Sequence, residues 1–223
     1  MKKINSDATA ESVIQFGGLC AILAGLFYIS IQFFHPADQL SSVNTDLWMI
    51  TAVITISISL FSLIGILGIY LKQAEETRWL GLIGWVTFSL FWFISMNFSF
   101  IEAFVLPLLT HDAPRFVEGI TGIFGGLQSE VNLGIFPILA PVAGILYTGG
   151  GLLFGIATFR AGVLPPMAGA LLAASAVITL AAAVIPHPFD RLLAIPMGIA
   201  FIWLGTALWS SRIRKKKKPS QIQ

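Results

Sequence analysis

The chain has 223 residues, 56% of them hydrophobic and only 11% charged, with a formal net charge of +2. A soluble domain carries about 25% charged residues, so this composition, with eighteen Phe and six Trp, leaves too little polar surface to cover a water-soluble globule, whereas lipid solvates an apolar exterior. A single cysteine, Cys20, excludes an intrachain disulfide and any multi-cysteine metal site, and nothing in the charge balance points to a nucleic-acid partner.

Crossing the hydrocarbon layer takes about 20 apolar residues in a helix that satisfies its own backbone hydrogen bonds. The first such run covers 13–34, preceded by Met-Lys-Lys. It is longer than the apolar region of a secretory signal, and Asp7 and Glu11 interrupt the basic flank, so it reads as a retained span. Leu19 stands where a lipoprotein cleavage site would want a small residue ahead of Cys20. The second run, 47–71, carries Thr51, Thr55, Ser59 and Ser62 along one side, and the third, 79–109, is the only one with a charge, Glu102. Between the third and fourth runs Phe116, Ile120, Ile123, Leu127 and Val131 recur at helical spacing. Asp112 and Pro114 supply a start, which predicts a short interfacial helix lying on the outer surface, or a partly re-entrant segment covering the bundle. The fourth run, 134–159, has a row of small residues, Gly144, Thr148, Gly151 and Gly155, and the fifth, 164–185, has Gly169, Ala173 and Ala176. Lipid gives no hydrophobic drive for helix association, so close backbone approach must do that work, and these rows are expected to be packing faces. The sixth run is 192–211, and 212–223 is a basic tail. The expected fold is all-α: one polytopic domain over 1–223 with six transmembrane helices.

Basic residues resist translocation and collect in short cytoplasmic loops. With both termini inside, Lys2, Lys3, Lys72, Arg78, Arg160, Arg212, Arg214 and Lys215, Lys216, Lys217 and Lys218 are cytoplasmic, and only Arg115 and Arg191 fall outside. Trp48, Trp79 and Trp209 sit near span ends, as an interfacial aromatic belt requires. The tail residues Arg212, Arg214, Lys215, Lys216, Lys217 and Lys218 pin the last helix and offer a contact to anionic lipid, each cation contributing about 1 kcal/mol near such a surface.

Glu102 lies 23 residues beyond Trp79, about 34 Å along a helix, which puts it towards the outer interface and away from the midplane. Ser95, Ser99 and Glu102 share one helix face, while Asn97 points elsewhere. All three histidines, His35, His111 and His187, fall at outer ends of spans, two of them directly before proline, and most prolines lie in the outer half. Broken backbone inside a membrane is tolerated where it lines a cavity or is buried in protein. Together these residues define a candidate outer-side polar pocket: Glu102, His35, His187, His111, Ser99 and Ser95. Three histidines and a carboxylate have the chemistry of a zinc set, but no HExxH-type spacing fixes two of them on one helix, so no metal and no cofactor is expected.

The segment GGGLLFGIATFRAGVLPPMAGALLAASAV (149–177) resembles uncharacterised bacterial six-helix membrane proteins of the domain-of-unknown-function kind. Shared features are a glycine-rich fourth helix, a turn of Arg-x-Gly-x-Leu-Pro type at Arg160, Gly162, Leu164 and Pro165, and a fifth helix opening with small residues; AGLFYIS (24–30) also resembles their first helix. The resemblance implies a multi-pass protein of the bacterial inner membrane and supplies no catalytic residue. Three functional readings follow. One is a noncatalytic protein that packs with itself or partners, or senses at its outer face; a homo-oligomer fits this reading. The second is a small secondary transporter, since AGLFYIS (24–30) and AGILYTG (143–149) match loosely, as halves of an inverted repeat would. The third is an intramembrane lipid-modifying enzyme using Glu102 and a histidine as acid and base. Nucleophile elbow, phosphate loop and dinucleotide fingerprint are all missing from the sequence, so catalysis is the least expected.

Overall fold

A computed structural model describes residues 6–123, 128–185 and 189–216. Among these the secondary structure is helical: α1 (Ser6–Ile31), α2 (Leu40–Val43), α3 (Asp46–Phe104), α4 (Leu106–Leu109), α5 (Pro114–Gly122), α6 (Phe136–Ala161), α7 (Pro166–Ile178) continued by a 3-10 segment (Thr179–Ala183), α8 (Phe189–Leu192) and α9 (Ile195–Lys216). Four helices among the described residues are long and apolar enough to cross a membrane: Ala10–Ile31, Asp46–Phe104, Phe136–Ala161 and Phe189–Ser210. This is the signature of a helical membrane protein.

A straight helix of 59 residues would measure about 88 Å, three times the hydrocarbon thickness, and α3 does not run straight. Its backbone leaves helical geometry at Gln73 (φ −131, ψ 17) and Arg78 (φ 49, ψ −138). Beyond that point the chain returns antiparallel to itself: Tyr70 stacks on Trp85 at 5.1 Å, Ser59 Oγ donates to Ser95 Oγ at 3.2 Å, and Trp48 Nε1 donates to the Glu102 carbonyl at 2.9 Å. The two arms, 46–72 and 79–104, therefore form a hairpin. Arg78 is the one non-glycine residue with positive φ among the described residues, in a region that glycine occupies without strain. Arg78→Gly is therefore expected to stabilise the protein by about 1 kcal/mol, read as a higher unfolding midpoint in detergent; an unchanged or lower midpoint would contradict a strained tip.

Small residues set the packing of the remaining helices. A Cβ at Gly17 would lie 2.7 Å from Gly68 Cα, which brings α1 against the first arm, and one at Gly18 would lie 3.0 Å from the Gly205 carbonyl, which brings α1 against α9. The second arm meets α6 through Gly84 beside Phe154 and Gly150 beside Phe88. Helix α6 meets α7 through Gly155, Gly169 and Ala173, and α7 packs on α9. The bundle thus closes as a ring in chain order. Its centre is aromatic: Phe88, Trp92, Phe154 and Phe201 are almost fully buried, with Tyr147 against Phe88 and Phe91. Large apolar side chains such as Ile83, Leu90, Phe93, Ile138 and Ile145 point outward and are exposed, as a lipid-facing surface requires.

Several expected boundaries shift. The first run ends at Ile31, before Phe34, and the third is cut at Val105, with Leu106–Leu109 a separate turn; Pro107 cannot continue the ladder of α3. Helix α6 starts at Phe136, two residues after Gly134, whose φ of 60 breaks the run. The fifth run is α-helical only over Pro166–Ile178. Gly144 is corrected outright: it is exposed and a Cβ there would meet nothing within 4 Å, because the contact face of α6 is set by Gly150, Gly151 and Gly155. Thr148 is half-buried. Trp48 is also corrected, being buried against Val43, Phe98 and Leu106, whereas Trp79 and Trp209 are exposed as expected of belt residues.

Candidate functional site

The predicted amphipathic segment after the third run becomes α5, Pro114–Gly122, with Ala113 rather than Asp112 at its cap. Residues 124–127 lie outside the described residues, and Val131 lies in non-helical chain. Val117 and Ile120 are fully buried against Leu106, Phe98 and Trp48. This second, smaller core caps one end of the bundle, the end reached by Ile31, Phe104 and Phe136 and opposite to the hairpin tip.

Beneath that cap lies a cavity of about 240 Å³. The second arm supplies Ser95, Ser99 and Glu102 from the face predicted by their spacing, the first arm supplies Thr55, and α5 supplies Thr121. His35 and Asp38 enter from the α1–α2 connection and Arg191 from α8, while Phe91, Ile94, Phe98, Leu139 and Ala143 form the apolar walls. Ser99, nearly fully buried, hydrogen-bonds the Glu102 carboxylate, and the Asp38 carboxylate is near enough to act on it electrostatically. Arg191 Nη2 lies 3.7 Å from Asp38 Oδ2. His35 Nδ1 lies 4.0 Å from Asp38 Oδ1 and hydrogen-bonds the Pro36 carbonyl at 2.8 Å, which makes Nδ1 the protonated nitrogen.

Four of the predicted pocket residues therefore converge: Glu102, His35, Ser95 and Ser99. His111 does not; it is exposed at the start of the connection to α5 and lines no part of the cavity. His187 lies outside the described residues, as do Lys217 and Lys218. Sequence reasoning missed Asp38, Arg191 and Thr121. The sequence assigns Arg191 and Asp38 to the same set of loops by charge, but it carries no signal that pairs them. The arrangement has two carboxylates, one guanidinium, one imidazole and four hydroxyl side chains around an apolar-walled space, a donor set suited to holding a small polar molecule by charge and hydrogen bonds. Among the described residues no three His, Cys, Asp or Glu side chains are grouped as metal ligands would be.

The class that fold and site define is a helical membrane protein with a polar cavity at one end of its bundle. No family model, curated protein or solved structure matches the chain.

Proposed function

We propose that the chain is a six-span protein of a bacterial inner membrane, with both termini cytoplasmic, and that its outer end is a noncatalytic receptor pocket for a small polar ligand, used for sensing or partner binding. The observation that carries this reading is the convergence of Glu102, Asp38, His35 and Arg191, drawn from three separate parts of the chain, on one cavity. A carboxylate within a spanning helix, as Glu102 is, is costly unless it serves a partner or a ligand. The orientation is supported by charge: Lys72, Arg78, Arg160 and the basic end of α9 share one end of the bundle, and Arg115 and Arg191 the other. The two arms of α3 count as two crossings and α7 with its 3-10 extension as one, giving six.

A transporter is the second reading, because the cavity opens inside the helical bundle. Below it, however, Phe91 packs on Tyr147 and Trp92, and Tyr147 hydrogen-bonds Tyr28 and Thr179, so the centre is filled. The ring order also disfavours a three-plus-three inverted repeat. A half-turn about an axis in the membrane plane reverses the sense in which helices follow one another round the ring, whereas exchanging the first three with the last three preserves it. An enzyme is the third reading, and it would need Glu102 and His35, which both line this cavity, to act on one reacting group.

The pocket can be probed without knowing its ligand. In a Cys20→Ala background, Ser95→Cys is expected to react with small methanethiosulfonate reagents added to the periplasmic side of spheroplasts. At about pH 9, where Asp38 and Glu102 are both ionised, the fixed-charge ethyltrimethylammonium reagent should be faster than the anionic ethylsulfonate by about tenfold, an interaction of about 1.4 kcal/mol, because two carboxylates then outnumber the one guanidinium. Glu102→Gln should shrink that ratio. A thiol at position 95 that reacts only from the cytoplasmic side, or with no charge preference, would sink the proposal.

A further inference from the structure

A groove of about 610 Å³ lies at the opposite, basic end of the bundle, and it is independent of the outer pocket. We infer that this groove is a binding site for an anionic glycerophospholipid, with the phosphate at Lys72 and Ser210 and an acyl chain along Trp203. Lys72, the last cation of the first arm, is half-buried in the groove wall. Among the described residues it has no ion-pair partner: Glu75 and Glu76, one turn further on and exposed, do not reach it. A half-buried ammonium with no counter-charge is a site for an anion.

The rest of the lining is one stripe of α9, Trp203, Thr206, Ala207 and Ser210, and the turn 162–166 between α6 and α7. Trp203 is 41% exposed on the apolar outside of the helix, and Ser210 is exposed seven residues later. That is about 10 Å along the axis, so the groove passes from hydrocarbon-facing to polar within the length of a lipid's head and upper chain. Inorganic phosphate would have no use for the apolar half, and an uncharged lipid none for Lys72. The α9 helix continues beyond Ser210 to Lys216, through a stretch of basic sequence.

The test uses the full chain reconstituted in phosphatidylcholine vesicles that contain a small fraction of lipid with brominated acyl chains, which quench nearby indoles. The difference between wild type and Trp203→Phe isolates the signal of residue 203. At equal mole fraction, brominated phosphatidylglycerol should quench Trp203 several-fold more than brominated phosphatidylcholine. Lys72→Gln should remove most of the difference between the two lipids, and Lys72→Arg, which keeps the charge and checks that the groove still folds, should retain the preference. Equal quenching by the two lipids in the wild type would overturn the site. So would a phosphatidylglycerol preference that Lys72→Gln leaves undiminished, since it would then come from the basic tail alone.

Discussion

Gly155→Val is expected to cost about 3 kcal/mol or more and to leave little monodisperse protein in detergent. A Cβ at this position would stand 2.5 Å from Ala173 N and 2.7 Å from the Gly169 carbonyl. These are backbone atoms that no rotamer change can move, so α6 and α7 would have to separate. Overpacking of this kind costs about 1–3 kcal/mol in soluble cores, where flexible side chains share the strain. In lipid the loss is compounded, because close van der Waals approach is the main source of helix association. Gly25→Val should behave alike, its Cβ falling against the Gly198 carbonyl. Gly144→Val is the control: nothing lies within 4 Å, and its effect should stay within about 0.5 kcal/mol. Unfolding midpoints followed by tryptophan fluorescence would separate the three. A Gly144 variant as damaged as the Gly155 variant would refute the packing face.

The choice between these glycines shows where sequence reasoning stops. The stripe Gly144, Thr148, Gly151, Gly155 has good helical spacing, but the run Gly149-Gly150-Gly151 permits more than one face, and only the neighbours decide. The second arm and α7 select Gly150, Gly151 and Gly155 and leave Gly144 to the outside. Apolar run length was legible because hydrocarbon imposes it directly. The face carrying Ser95, Ser99 and Glu102 was legible because helical periodicity is local. The 3-10 ending of the fifth run was not: Thr179–Ala183 contains neither Gly nor Pro, so no residue announces it. Arg191 and Asp38 belong to one salt bridge and one cavity, yet they stand far apart in the chain and no periodicity links them. Trp48 was misplaced for a related reason, since belt and core tryptophans look alike until a partner is found for the indole N–H, here the Glu102 carbonyl.

Thr158→Val is expected to destabilise the protein by about 2 kcal/mol although it removes no volume. Gln73 and Thr158 are both fully buried, and Gln73 Nε2 donates to Thr158 Oγ1 at 2.7 Å. The other end of the amide, Oε1, has no hydrogen-bond partner among the described residues. Valine would strand the Nε2 donor as well, leaving an unsatisfied amide in an apolar surround at a cost of about 1–3 kcal/mol. Gln73→Leu removes both the donor and the stranded acceptor. The Thr158 hydroxyl can then turn to a carbonyl of its own helix, so this variant should lose less than about 1 kcal/mol. The double variant should recover most of what Thr158→Val loses, a coupling of about 1–2 kcal/mol in a double-mutant cycle. This bond ties the turn of the α3 hairpin to α6 and so fixes the register of the second arm, the arm that carries Ser95, Ser99 and Glu102 to the far end. Thr158→Val should therefore also blunt the charge preference of a thiol at position 95, and the double variant should restore it. Additive single effects in the cycle would show that the hairpin is held by apolar packing alone.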